Sequence, residues 1–93
     1  MKKLLFLLAV SILTLQAEQV IPGHIACTKE TWLKDTIRFG QTRDMNSLKT
    51  YLKMERCYVM KSPVEVKVIR KNLDSTQFFL RGQHFWAVPQ AVR

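Results

Sequence analysis

A chain of 93 residues with a net charge of +8 and only two cysteines has room for one small domain, which excludes multidomain enzymes. Its acidic residues are single and scattered, and it has no glycine-rich phosphate loop, so neither paired catalytic carboxylates nor a nucleotide site leaves a local trace. The basic excess favours anionic partners without choosing among them.

The chain opens with Met1-Lys2-Lys3, continues as an apolar run from Leu4 to Leu15, and then reaches Gln16-Ala17. Basic, apolar and small-residue segments in that order form a cleavable secretory signal, and the run is too short to span a bilayer stably. Residues 1–17 are therefore expected to be a signal peptide cut after Ala17, leaving a periplasmic or secreted protein with no transmembrane segment. Bulky Leu15, three residues before the cut, keeps an uncleaved anchor as the alternative. Loss of Lys2 and Lys3 leaves thirteen basic and seven acidic residues, a net charge of +6 without any dense run.

Residues 18–26, with Pro22-Gly23, read as an extended leader. Cys27 and Cys57 follow, and in an oxidising compartment they have one intramolecular pairing, a disulfide suited to a small exported domain. Between them lie two helical patterns. Thr28 is the expected N-cap of the first, with Trp32, Leu33, Ile37 and Phe39 as its apolar face, Trp32 as its anchor and Gly40 as its stop. Asp44 opens the second, in which Met45, Leu48, Tyr51 and Leu52 recur at spacings of three and four. The short connection, Gln41–Arg43, makes residues 27–56 a helical hairpin.

After Cys57 the period changes to two. Tyr58-Val59-Met60 reads as a short strand ended by Lys61-Ser62-Pro63, and Val64, Val66 and Val68 mark a longer one. A turn at Asn72–Ser75 leads to a strand over Thr76–Arg81; Gly82-Gln83 reverses the chain into a fourth strand, His84–Val88. Phe79 and Phe85 are expected on one face and Phe78 on the other. Pro89–Val92 suggests a single helical turn. Strands this short cannot bury both faces of a flat sheet, so the predicted fold is α+β: an N-terminal helical hairpin packed on a small barrel of about four to five strands.

Pro63-Val64-Glu65-Val66-Lys67-Val68, then Gln77-Phe78-Phe79-Leu80-Arg81, then Gly82-Gln83-His84-Phe85-Trp86 with Ala91-Val92 resembles a bacterial SH3-like domain over residues 58–92. In that family a valine-rich strand, a turn, a strand, then Gly, Trp and a terminal apolar residue recur in this order. Here Ser62-Pro63 and Phe85-Trp86 stand where family members carry Gly and Gly-Trp. The resemblance implies an SH3-like barrel over residues 57–93, one domain with the hairpin (27–93), and a non-catalytic attachment module of the cell envelope. Its expected partner is an envelope protein or cell-wall peptide, held by an aromatic and basic surface. Trp86 matches the family's tryptophan; Phe85, Tyr58, Arg70 and Arg81 complete the candidate binding set.

No cofactor or metal is expected, since two histidines and two cysteines stand at unrelated spacings. His24 or His84 would be the base for a cysteine nucleophile and His84 could act beside Trp86, but no cysteine-protease signature is present and a partly exposed strand histidine is the better account of His84. Basic charge with aromatics on a small barrel also suits single-strand nucleic-acid binding, which export disfavours except in DNA transfer. A soluble inhibitor or accessory subunit of an envelope enzyme, secretion or conjugation assembly is the second reading.

Overall fold

The computed structural model describes residues 18–93, so the expected signal peptide lies outside the described residues. The described residues are α+β: two helices and a six-stranded antiparallel sheet curled into a half-barrel, with strand order β1-β4-β5-β6-β2-β3. The strands are β1 (Glu18–Val20), β2 (Ile25–Cys27), β3 (Cys57–Val59), β4 (Val64–Lys71), β5 (Thr76–Leu80) and β6 (Gln83–Ala87). Helices α1 (Glu30–Thr42) and α2 (Met45–Lys53) lie between β2 and β3.

That order corrects the expected architecture. The hairpin does not precede the sheet, because the segment read as a leader supplies β1 and β2. Glu18, Gln19 and Val20 pair with Val66, Glu65 and Val64 of β4, while Ile25, Ala26 and Cys27 pair with Val59, Tyr58 and Cys57 of β3. The helices are thus an insertion whose two ends are neighbouring strands.

The meander β4–β5–β6 forms where alternation predicts it. Val64, Val66 and Val68 are half-buried while Glu65 and Lys67 are exposed, as a strand with one solvated face requires. A bulge between Val68 and Arg70 leaves Ile69 unpaired with β5 and 46 % exposed, and such an extra residue bends and twists its strand. After β6 a 3₁₀ turn, Pro89–Ala91, carries the chain back to β1. There Val92 bridges to Val20, and the main chains of Gln19 and Arg93 exchange hydrogen bonds of 2.8 and 2.9 Å. β4 on one side and the chain end on the other therefore enclose β1.

Two apolar clusters result. Inside the curl, Val20, Ala26, Phe78, Phe85, Ala87, Ala91 and Val92 are buried together. Phe78 is wholly inaccessible and stacks on Phe85 with ring centroids 5.7 Å apart. These two share the inner face, so the expected pairing of Phe79 with Phe85 is overturned: Phe79 points outward and is 36 % exposed. Successive residues on a strand alternate, and Phe78 is opposite Phe85 in the register.

The second cluster fastens the helices to the sheet's other face. Leu33 of α1 is buried against the disulfide joining Cys27 and Cys57, with Trp32, Tyr51, Leu52 and Trp86 packed around it. Trp32 carries Lys29 Nζ 4.7 Å and the Arg56 guanidinium 5.2 Å from its ring, distances suited to cation–π attraction. Phe39 meets Tyr51 edge-on at 5.0 Å, which holds α1 to α2. Along α1 the buried positions are Leu33, Thr36 and Phe39; Ile37, expected on that face, is exposed. Thr36 tolerates burial because its hydroxyl donates to Leu33 C=O at 2.7 Å.

Helix boundaries differ from expectation at one helix and agree at the other. Thr28 N–H donates to Arg56 C=O and so extends the β2–β3 ladder, which moves the N-cap of α1 to Lys29. At the far end α1 runs through Gly40 and stops at Arg43, in the left-handed conformation at φ 59°. Asp44 caps α2 as expected: its carboxylate accepts from the Ser47 hydroxyl at 2.6 Å and from the Ser47 N–H at 3.1 Å. Those bonds hold its pKa below the ordinary value.

Candidate functional site

The five candidate binding residues fall in two places. Tyr58, Phe85 and Arg81 converge on a recess of about 380 Å³, lined also by Val59, Met60, Lys61, Ser62, Val64, Leu80 and Gln83. One wall is β3 and the chain leaving it. The other is the tip of the β5–β6 hairpin. Tyr58 lies across from Ala26 and therefore on the inner side, where its ring meets Phe85 edge-on at 5.9 Å. Tyr58 is 36 % exposed and Phe85 8 %, so the tyrosine supplies the accessible ring and the phenylalanine its floor.

Arg81 owes its place to the hairpin. Leu80 and Gln83 are register partners, leaving Arg81-Gly82 as a two-residue turn, with φ of 51° and 81°. Positive φ at both central residues is the geometry that matches the twist of the flanking strands. The expected turn at Gly82-Gln83 thus moves back by one residue. Glycine has no Cβ to clash in this conformation, whereas arginine has, and its exposed side chain stands at the mouth of the recess.

Trp86 and Arg70 do not join that group. Alternation sends Trp86 to the face opposite Phe85, where it is half-buried against the helix-side cluster. A cross-strand row there runs Arg70–Gln77–Trp86–Cys27–Cys57. Phe79 and His84, also register partners, lie beside it with rings 5.1 Å apart, and Gln77 Nε2 is 3.2 Å from His84 Nδ1. Trp86 anchors the helical insertion, and Arg70 is exposed on the same outer face.

Sequence reasoning missed Lys61, Val59, Met60 and Leu80 as site residues. In sequence Lys61 marks the start of a strand break, and its place directly after the aromatic and apolar Tyr58-Val59-Met60 is the available signal. The recess offers an apolar floor, one accessible phenol ring and two cationic side chains, Lys61 and Arg81, with no acidic residue among its described lining. Such a surface presents apolar area and positive charge side by side.

Among the described residues no three His, Cys, Asp or Glu side chains gather as metal ligands, and no helix is long and apolar enough to cross a membrane. Comparison with family models, with characterised proteins and with solved structures finds no match for this chain.

Proposed function

We propose that this chain is an exported, non-enzymatic binding module of the bacterial envelope, SH3-like in its barrel, which holds a protein or cell-wall peptide in the recess between β3 and the β5–β6 hairpin. The recess itself carries the reading: it brings Tyr58 of β3 together with Arg81 and Phe85 of the distant β5–β6 hairpin around one apolar floor. A shallow cleft with a few placed polar groups is how small modules take extended ligands.

Export draws on the order of segments in residues 1–17, and a cut after Ala17 leaves β1 whole. The buried disulfide is in keeping with an oxidising compartment. The SH3-like assignment draws on the meander: valine-rich β4, a turn, β5, Gly82, Trp86 and terminal Val92 fall on successive paired elements that return to β1.

Site-specific photocrosslinking tests this reading. The full chain, expressed with residues 1–17 in its native host, carries the photoreactive residue at position 58 or, on the opposite face, at position 79; the two side chains it replaces are equally exposed. Capture of one protein or of cell-wall fragments from position 58 and not from position 79 is the expected result. Equal capture from both, or capture from 79 alone, removes the recess from the mechanism. N-terminal sequencing of the same material should start at Glu18; an unprocessed cytoplasmic chain would defeat the export half.

A further inference from the structure

Strand β3 ends the sheet: β2 lies on one side of it and no described strand on the other. Met60 N–H donates to His24 C=O at 2.9 Å, and Thr28 N–H to Arg56 C=O at 3.0 Å, so residues 24/60 and 28/56 are hydrogen-bonded pairs of the ladder. In an antiparallel ladder such pairs alternate with pairs whose main-chain groups point away from each other. Cys57 and Val59 occupy the latter positions. Cys57 is covered, but Val59 is 41 % exposed and lines the recess. An N–H and a C=O on a free strand edge are a template for another strand.

We propose that the recess is a strand-addition site for an acidic, extended peptide. The peptide runs along β3 and exchanges main-chain hydrogen bonds with Val59. It sets alternate apolar side chains against Tyr58, Leu80 and Phe85, and its carboxylates meet Lys61 and Arg81. Main-chain bonding supplies affinity in such complexes, and pockets for alternate side chains supply selectivity. This rests on the binding-module reading and names its ligand.

Charge selects the occupant. Lys61 and Arg81 are the charged residues among the described lining, and both are cationic. A second copy of this chain paired edge to edge through β3 would bring each Lys61 towards its counterpart in a protein that carries +6 even after residues 1–17 are removed.

The test uses protein purified from cells expressing the full chain, with three synthetic probes. One is a peptide of alternating Val and Glu, about six residues long; the second has Lys for Glu; the third is the Val/Glu peptide N-methylated at every other nitrogen, made in both registers. The Val/Glu peptide is expected to bind and to slow exchange of the Val59 amide, while the Lys version does not bind. One N-methylation register should abolish binding and the other spare it, because one edge of the peptide faces β3. Lys61→Gln and Arg81→Asn should each weaken binding by about tenfold at low salt, the scale of one charge-assisted contact. Equal binding by the Lys peptide, equal binding by both N-methyl registers, or no binding to protein of verified fold overturns the proposal. Concentration-dependent dimerisation through β3 without peptide overturns it as well. If both N-methyl registers bind while position 58 still captures a partner, strand addition falls and the binding module stands; if position 58 captures nothing, both fall.

Discussion

Cys27 and Cys57 are register partners on β2 and β3, with Cα atoms 4.0 Å apart and both side chains buried, so their disulfide closes the base of the whole helical insertion. The bond constrains a 30-residue separation in the unfolded chain. It also forms the floor on which Leu33 packs.

Removing the bond in the Cys27→Ala/Cys57→Ala variant should therefore destabilise the protein by about 2–4 kcal/mol. Urea denaturation, with and without reductant, measures this. Reductant should lower the midpoint of the wild type and leave the double variant unchanged. A wild-type midpoint insensitive to full reduction, confirmed by titration of two thiols, would show that the hairpin holds without its clasp.

Phe78 and Phe79 are adjacent in sequence and opposite in environment. Phe78 is inaccessible at the centre of the inner cluster, so Phe78→Ala should cost about 3–5 kcal/mol through lost burial and an unfilled cavity. Phe79→Ala, on the outer face, should change stability by about 0.5 kcal/mol or less. Thermal or urea unfolding of the pair separates the two, and comparable losses would contradict the register of β5 against β6.

The contrast shows what was legible in the sequence. Local signals were: Asp44 caps α2 through its own near neighbour Ser47, and Val64, Val66 and Val68 announce β4 by alternation within one strand. β1 and β2 leave no comparable trace: each has three residues, too few to show a period, and they flank the turn-forming Pro22-Gly23, whereas the equally short β3 is marked by its aromatic and β-branched pair Tyr58-Val59. What makes them strands is distant in the chain: Val66 opposite Glu18, Cys57 opposite Cys27. The same limit applies to the site. Aromatic and basic character singles out Tyr58, Phe85 and Arg81, which line one recess, together with Trp86 and Arg70, which do not, and assigning faces to Phe85 and Trp86 requires knowing where the helices dock. That information lies in Leu33 and the disulfide, outside the strand itself.

Tyr51 ties the two helices through a polar contact that should register in pH dependence. Its hydroxyl donates to Asp35 Oδ2 at 2.7 Å, and Asp35 Oδ1 also meets Arg38 at 3.2 Å. The hydrogen bond to Asp35 holds the phenol pKa above its ordinary value of 10.0, with burial and the carboxylate charge acting in the same direction and Arg56 opposing. A folded-state pKa raised above the unfolded value means that the stabilisation is fully present below pH 10.0 and is lost as pH rises through the folded value. Tyr51→Phe should accordingly cost about 1 kcal/mol near neutral pH. Denaturation of both proteins across the alkaline range should show the gap closing above the ordinary tyrosine pKa. A gap that stays constant would mean that the phenol makes no net contribution through this bond.

Arg81 sets stability against binding in a single side chain. At φ 51° in a two-residue turn, it occupies a position where the left-handed conformation costs an ordinary residue about 1 kcal/mol and costs asparagine less. Arg81→Asn should thus raise stability by up to about 1 kcal/mol while it weakens capture of an acidic peptide. Arg81→Lys separates the causes: it retains both the cationic charge and the strained turn, so it should keep wild-type stability and most of the binding. Unfolding midpoints and peptide affinities measured on the same preparations decide the matter. A variant with asparagine that is less stable than the wild type would assign Arg81 to holding the hairpin and would remove the opposition between stability and binding.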